Sequence, residues 1–376
     1  MTALALVGSL SGCRRPAVDE RPGPGPQPDI LIYLVDTLRP DHLGVYGYGR
    51  DTSPRLREFA RDAVTFGNAY APSSWTKSST ASLLTGLDSR KHGAMTRSQK
   101  MSQRITLLGE FLKPLGYHTA AFMTNPNTVA LWGFDQGFDH FYDIQTGTLT
   151  ARADHVNTAV FAHLKDHPGR PFLYYVHTMD PHDPYDPPPP FDRMWPRSSI
   201  NVLNPSAFME ECPPQVLEDL VAAYDGEVAF NDRHFGELLD RLKADGLYGH
   251  SLIVFTSDHG EEFREHGRLL HGHTLFEELV RVPLVVKLPG NRHAGTVVDT
   301  RVSLLDVVPT VLALLRLPVP AELDGADLLP IVAESAGPHP DRPFYFDLDL
   351  ERAGVQGQMF TAKGVLSGDF KYLRTL

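Results

Sequence analysis

Cysteine is nearly absent: Cys13 and Cys212 stand alone in 376 residues, which excludes a disulfide framework and a thiolate zinc site. Positive charge is also in short supply. With 35 Lys and Arg against 46 Asp and Glu, a net charge of −11 and no basic run, the chain lacks the electrostatic footprint of a protein whose main partner is nucleic acid. An acidic protein that handles an anionic substrate must concentrate positive charge locally, through a metal ion or an Arg/His/Lys cluster. No apolar run reaches the length of a membrane span, so a single acyl-type anchor is the most membrane contact to expect. What is plentiful points to a globular enzyme-sized body. The chain is 42% hydrophobic with 31 Gly and 31 Pro, enough for one large α/β domain with a sizeable core or for two ordinary ones.

Residues 3–13, ALALVGSLSGC, form a short apolar run that ends in Leu10-Ser11-Gly12-Cys13. This ending resembles the lipobox at which bacterial lipoproteins are cleaved and acylated on the cysteine, although Met1-Thr2 supplies no Lys or Arg. A Pro/Gly tether, Arg21–Pro28, follows, of the kind that holds a domain off a surface. The expectation is residues 1–28 as signal and tether, and an extracytoplasmic protein held at a membrane through an acylated Cys13.

From Asp29 the chain delivers polar residues at the ends of apolar runs. Asp29–Asp36 (DILIYLVD) has the unbroken apolar content of a strand buried on both faces, and it ends in a carboxylate. Leu252–Thr256 reads as another buried strand and ends in Ser257-Asp258-His259-Gly260. In open α/β sheets sites form at the carboxyl ends of strands, and an Asp beside a His offers a divalent metal one hard oxygen and one imidazole nitrogen. His271 and His273 follow in a Gly-punctuated loop. Ala81–Thr85 reads as a buried helix closed by Gly86, placing Thr76 near a helix N-terminus, where free N–H groups favour an anion and a metal-activated hydroxyl can act as a nucleophile. Thr76 as a simple helix cap is the bland alternative. Tyr117–Phe122 reads as a strand leading to Asn125, which can donate to an oxyanion or form an ordinary turn before Pro126. Phe172–His177 reads as a strand leading to a proline-stiffened loop with His182. Pro214–Leu247 carries apolar positions at helical spacing and is expected to cover the sheet. Val282–Leu288 is a further strand, and Ser303–Leu314 a helix capped by Ser303. Short extended runs after Asp341 suggest a small antiparallel sheet, giving a catalytic α/β domain over residues 29–340 and a subdomain over 341–376.

Taken in order, the segments VDTLRPDHLGVYGY, WTKSSTASLLTG, HTMDPHDPY, AYDGEVAFNDRHFGELLDRL, SDHGEEFREHG and LFEELVRVPLVVKLPG resemble the sulfatase branch of the alkaline phosphatase superfamily over most of the chain. The resemblance implies a large, mostly parallel sheet between helices with a small C-terminal antiparallel sheet. It implies metal ligands at Asp36, Asp258 and His259, the nucleophile position at Thr76, and a histidine contacting the transferred group at His182. Asn125 falls near further oxyanion contacts. His271 resembles a histidine of the phosphoethanolamine transferase relatives, and His273 stands near the lysine that sulfatases carry before the Tyr/Phe-Glu pair.

The departures bear on the chemistry. True sulfatases carry a Cys or Ser followed by x-Pro-x-Arg, converted to formylglycine; this chain has Thr76-Lys77-Ser78-Ser79-Thr80, and threonine cannot yield that aldehyde. A threonine with Asp, Asp and His ligands resembles instead the phosphodiesterases, phosphonate hydrolases and phosphoethanolamine or glycerol-phosphate transferases of the superfamily. The leading expectation is a metal-dependent hydrolase of a phosphate, phosphonate or sulfate ester, using one divalent ion (Ca, Mg, Mn or Zn). Its substrate is expected to be a small-molecule or glycan- or lipid-linked anionic ester. The alternatives are a transferase, or a catalytically silent, surface-anchored binding protein.

Overall fold

The structure is a computed structural model in which residues 27–146, 149–198, 204–334, 342–351 and 359–376 are described. Cys13, its apolar run and most of the tether lie outside the described residues.

The strand Ile30–Val35 organises the molecule. All its residues are buried, and alternate ones enter opposite layers: Ile30, Ile32 and Leu34 pack on one face, Leu31, Tyr33 and Val35 on the other. Strand alternation in a run with no polar member demands apolar cover on both sides, which the helices supply. The central sheet runs in the order Val297–Val298, Val64–Tyr70, Arg281–Lys287, Leu252–Thr256, Ile30–Val35, Phe172–Thr178, His118–Met123, His140–Asp143, with Val302–Ser303 also on Val64–Tyr70. From Leu252–Thr256 to His140–Asp143 every neighbouring pair is parallel. Arg281–Lys287 is antiparallel to both its neighbours, so the sheet is mostly but not wholly parallel.

The wholly buried helix Thr76–Thr85 ends at Gly86, whose left-handed φ of 69° allows its N–H to reach the Ser82 carbonyl. The long helix Pro214–Ala244 lies against the opposite face and buries Leu220, Ala223, Tyr224, Phe235, Leu238 and Leu239 there, the stripe that its helical spacing predicts. No helix among the described residues is long and apolar enough to cross a membrane. The C-terminal strands Phe344–Glu351, Met359–Ser367 and Phe370–Thr375 form the expected antiparallel sheet. Its inner face packs on Tyr70, Trp75, Leu275 and Val280, so it closes over the chain that leads into Thr76.

Apart from the two-residue strands, two strands escape the sequence reading. Val64–Tyr70 carries Gly67 and Asn68 in its middle, and His140–Asp143 is short, half-buried and polar; neither shows the apolar run or alternation that announces a strand. The helix Leu108–Leu112 is short because Pro114 and Gly116 turn the chain into a 3-10 segment.

Candidate active site

Because Leu252–Thr256, Ile30–Val35, Phe172–Thr178 and His118–Met123 are adjacent and parallel, their carboxyl ends share one edge, and the residues just beyond them meet. Asp36 leaves Ile30–Val35 and is fully buried. Its Oδ2 accepts from Asn125 Nδ2 at 2.7 Å and from His177 Nε2 at 3.1 Å, while its Oδ1 has no hydrogen-bond partner. Asp258 is also fully buried; its Oδ1 accepts from the backbone N–H of Thr37 at 3.3 Å and of His259 at 3.0 Å, and its Oδ2 is without a partner.

His259 faces both orphaned oxygens. Its Nδ1–H donates to the Gly260 carbonyl at 2.9 Å, which fixes the tautomer and leaves Nε2 as the acceptor nitrogen. That Nε2 lies 3.4 Å from Asp258 Oδ2, 3.9 Å from Asp36 Oδ1 and 3.1 Å from Thr76 Oγ1. Gly260 is obligatory here, since a Cβ would stand 2.0 Å from the Glu278 carbonyl oxygen. Thr76 is the first residue of its helix, and its hydroxyl is spent on His259 rather than on capping. Lys77 points elsewhere and fixes the helix start: its Nζ lies 3.4 Å from the Trp132 ring centre and donates to the carbonyls of Arg97 and Gln99 at 2.6 and 3.2 Å.

Thr37, between Asp36 and the turn, has φ 55°, a left-handed conformation costly for a β-branched residue, about 1–3 kcal/mol. Tertiary bonds hold it: its N–H donates to Asp258, and its carbonyl accepts from Tyr224 Oη at 2.8 Å. The strain is thus tied to the bond that joins the two aspartate loops.

A row of imidazoles extends the cluster. The His259 and His271 ring centres are 4.4 Å apart, and those of His271 and His182 5.0 Å. His182 Nδ1–H donates to the Asp183 carbonyl at 2.7 Å, and His271 Nδ1–H to Glu261 Oε1 at 2.9 Å. Glu261 is buried and also accepts from Tyr185 Oη at 2.9 Å.

The electrostatics follow from burial and these neighbours. Burial opposes ionisation of Asp36, but the His177 hydrogen bond and the electrostatic pull of the neighbouring His182, His177 and His259 imidazoles outweigh it and hold the carboxyl below the usual range. Asp258, buried beside the Asp36 charge, is pushed up. Burial likewise lifts Glu261 to about 7 and holds His271 well below its ordinary value, where the His259 and His182 charges add to the effect. His182 goes the other way: burial opposes its charge, but Asp36, Asp183 and Glu261 raise it to about 9.

Asp36, Asp258, His259, Thr76, His182 and His271 therefore come together, and the side chains of Asn125 and His273, the residues expected to bind substrate, are engaged with protein partners. Asn125 reaches the cluster but spends its amide on Asp36 and its carbonyl oxygen on the Asn127 N–H at 2.9 Å. It orients a carboxylate instead of facing substrate. His273 is taken up by the loop itself, with Nε2–H on Glu262 Oε2 at 2.8 Å and Nδ1 against the His271 carbonyl at 3.2 Å. Glu262 also accepts from the backbone N–H of His266 and Arg268, so His273 ties down a small hairpin. Sequence reasoning missed His177 and Glu261. His177 was detectable as the one histidine in the otherwise largely apolar and aromatic, fully buried run Phe172–Thr178; Glu261 was hidden among acidic neighbours.

A family model described as Sulfatase matches residues 28–317. The chain belongs to the sulfatase family. Within the curated proteins this sulfatase-family chain is 26% identical over 380 residues to the ulvan-active sulfatase of Formosa agariphila, covering 90% of this chain and 72% of that protein. Its fold resembles that of the phosphonate monoester hydrolase of Silicibacter pomeroyi, with a TM-score of 0.78, 19% identity and coverage of 93% of this chain and 87% of the other. It also resembles a structure solved in complex with its substrate D-glucosamine-2-N,6-O-disulfate, with a TM-score of 0.74, 18% identity and coverage of 92% and 88%. The family and the architecture place this chain among the ester hydrolases of the alkaline phosphatase superfamily.

Proposed function

We propose that the chain hydrolyses a phosphate, phosphonate or sulfate ester with one divalent ion and with Thr76 as the attacking hydroxyl. One observation carries this reading: the acceptor Nε2 of His259 lies 3.1 Å from Thr76 Oγ1, 3.4 Å from Asp258 Oδ2 and 3.9 Å from Asp36 Oδ1, and both carboxylate oxygens are buried without a partner. Two buried carboxylates with orphaned oxygens turned toward one imidazole lone pair are costly to keep without a cation. The donor set, hard oxygens with one nitrogen, suits Ca, Mg, Mn or Zn. When bound by Asp36, Asp258 and His259, such an ion lowers the pKa of a neighbouring hydroxyl and neutralises charge on an ester oxygen.

The chain's own groups supply the rest. The Thr76 oxygen, having released its proton to solvent, attacks phosphorus or sulfur, forming an Oγ–P or Oγ–S bond as the bond to the leaving alcohol oxygen breaks. The helix N-terminus at Thr76 favours the anionic group beside it. His182, protonated with its pKa raised to about 9, gives the departing oxygen its proton. Water then cleaves the threonyl ester, returning the Thr76 hydroxyl and releasing the acid. His177 and Asn125 keep the Asp36 carboxylate aimed throughout. The sulfated glucosamine held as substrate by one structural relative supports a sugar-linked anionic ester as the substrate class. In this reading the enzyme works outside the cytoplasm, anchored through acylated Cys13; Cys13→Ala would then shift it from the membrane to the soluble extracytoplasmic fraction.

Purified chain stripped with EDTA and reloaded with Ca, Mg, Mn or Zn is expected to turn over at least one member of a panel of aryl phosphodiesters, phosphonate monoesters and aryl sulfates. The gain over stripped protein should be roughly 10²-fold or more. No turnover of any ester with any ion would leave the silent binding protein as the better reading. Asn125→Ala should weaken ion binding by about 10- to 100-fold through loss of the Asp36 orientation, read by titration calorimetry. Unchanged affinity would mean that Asn125 is not needed to hold Asp36.

A further inference from the structure

A second cluster of metal-ligating side chains lies at the far edge of the sheet, away from the aspartates. His140 opens the edge strand His140–Asp143, His163 sits in the last turn of the helix Ala153–Asp166, and His167 follows that helix directly. The spacing of His163 and His167 puts their side chains on one helical face, and the His167 N–H donates to the His163 carbonyl at 2.8 Å, so the turn is formed. The ring centres of the His140/His163, His140/His167 and His163/His167 pairs are 5.0, 4.3 and 4.5 Å apart, and one nitrogen from each ring lies within 4.8 Å of the others.

We propose that His140, His163 and His167 form a second metal site, selective for a borderline transition-metal ion such as zinc, that pins the edge strand to the helix. Three imidazoles are a known ligand set for zinc, with Zn–N bonds of about 2.0–2.1 Å. Nitrogens so bound stand roughly 3.3 Å apart, so rotations of the rings by about an ångström close the site. All-nitrogen ligation favours zinc, copper or nickel over calcium and magnesium, in contrast to the oxygen-rich aspartate cluster.

Two further features fit. Tyr142 Oη lies 3.0 Å from His163 Nδ1, so Nδ1–H can donate to the phenol oxygen and present Nε2 to the ion, as metal-bound imidazoles commonly do. An open cavity of about 270 Å³ reaches His167 and gives an ion access. The cations on its wall, Arg170 and Arg241, are paired with Asp29 and with Asp245, the latter at 2.6 Å, and so do not oppose a bound cation at full strength. The competing account is that the three rings are only a packed aromatic satellite, since His163 also meets Phe122 and Tyr174 edge-on.

The test uses the full chain, freed of metal and titrated with zinc chloride at neutral pH. It compares wild type with the double variant His140→Gln/His167→Gln, whose residues are half-buried and exposed. Wild type should bind about one more equivalent of zinc than the double variant. Zinc at the extra site should raise the melting temperature of wild type and not of the double variant, while ester turnover is the same in both. Asp258→Asn, which disables the aspartate cluster, should keep the extra equivalent, so failure of this site and failure of the proposed active site are told apart. Electron paramagnetic resonance of one equivalent of copper(II) in Asp258→Asn should show imidazole nitrogen ligation that is reduced when the single change His167→Gln, at an exposed position, is added, a readout that does not require the double variant to fold. Equal zinc uptake by wild type and the double variant, or a copper signal with oxygen ligands only, overturns the proposal.

Discussion

Thr76→Ala is expected to lower turnover of the preferred ester by about 10³-fold or more, with the far-ultraviolet circular dichroism and melting temperature close to wild type. The size of the effect follows from what the hydroxyl does: among the described residues no other hydroxyl is placed on His259 Nε2, which Thr76 Oγ1 meets at 3.1 Å. The small effect on stability follows from what holds the helix. Thr76 adds one hydrogen bond, worth about 1 kcal/mol, whereas the helix start is fixed by Lys77 on Trp132 and by burial of the entire Thr76–Thr85 segment. Thr76→Ser retains the hydroxyl and should keep most of the activity, though its extra rotamer freedom costs some rate. Kinetics of the purified variants on one ester decide the matter. An alanine variant with undiminished kcat would mean that solvent, not the protein, attacks the ester.

Much of this site was legible because its logic is topological. A buried parallel strand must end where polar residues can begin, so Asp36 and Asp258 could be assigned to one edge from the apolar runs before them, and a helix that starts near that edge carries Thr76. What sequence could not supply was the direction of each polar group. Asn125 and an oxyanion donor look alike in a chain, because an amide is defined by its partner; only the fold brings Asp36 Oδ2 to 2.7 Å from Asn125 Nδ2. The partner of His273 was hidden for the same reason: Glu262, on the other side of the hairpin, meets it at 2.8 Å. The strand Val64–Tyr70 was hidden by Gly67 and Asn68, which weaken a strand locally but are tolerated where neighbours on both sides enforce the ladder.

The aspartates also predict opposite effects of one substitution in two states of the protein. Asp258→Asn should abolish ion-dependent turnover, by about 10²-fold or more, because an amide oxygen replaces a charged ligand. In the metal-free protein the same change should raise stability, by roughly 1–3 kcal/mol, or a few degrees in melting temperature. The stripped wild type holds two buried carboxyls that oppose one another, Asp258 being pushed up by burial and by Asp36. An asparagine keeps an oxygen for the Thr37 and His259 N–H groups and puts a neutral amide where the unpartnered Oδ2 stands. A repulsion between buried charges and an orphaned acceptor are both removed. In the ion-loaded state the sign reverses, since wild type gains binding free energy that the variant forgoes. Melting curves of both proteins with EDTA and with saturating divalent ion should therefore cross. A variant less stable than wild type in EDTA would show that the stripped cluster carries no electrostatic strain, and with it would go the argument that these orphaned oxygens are shaped for a cation.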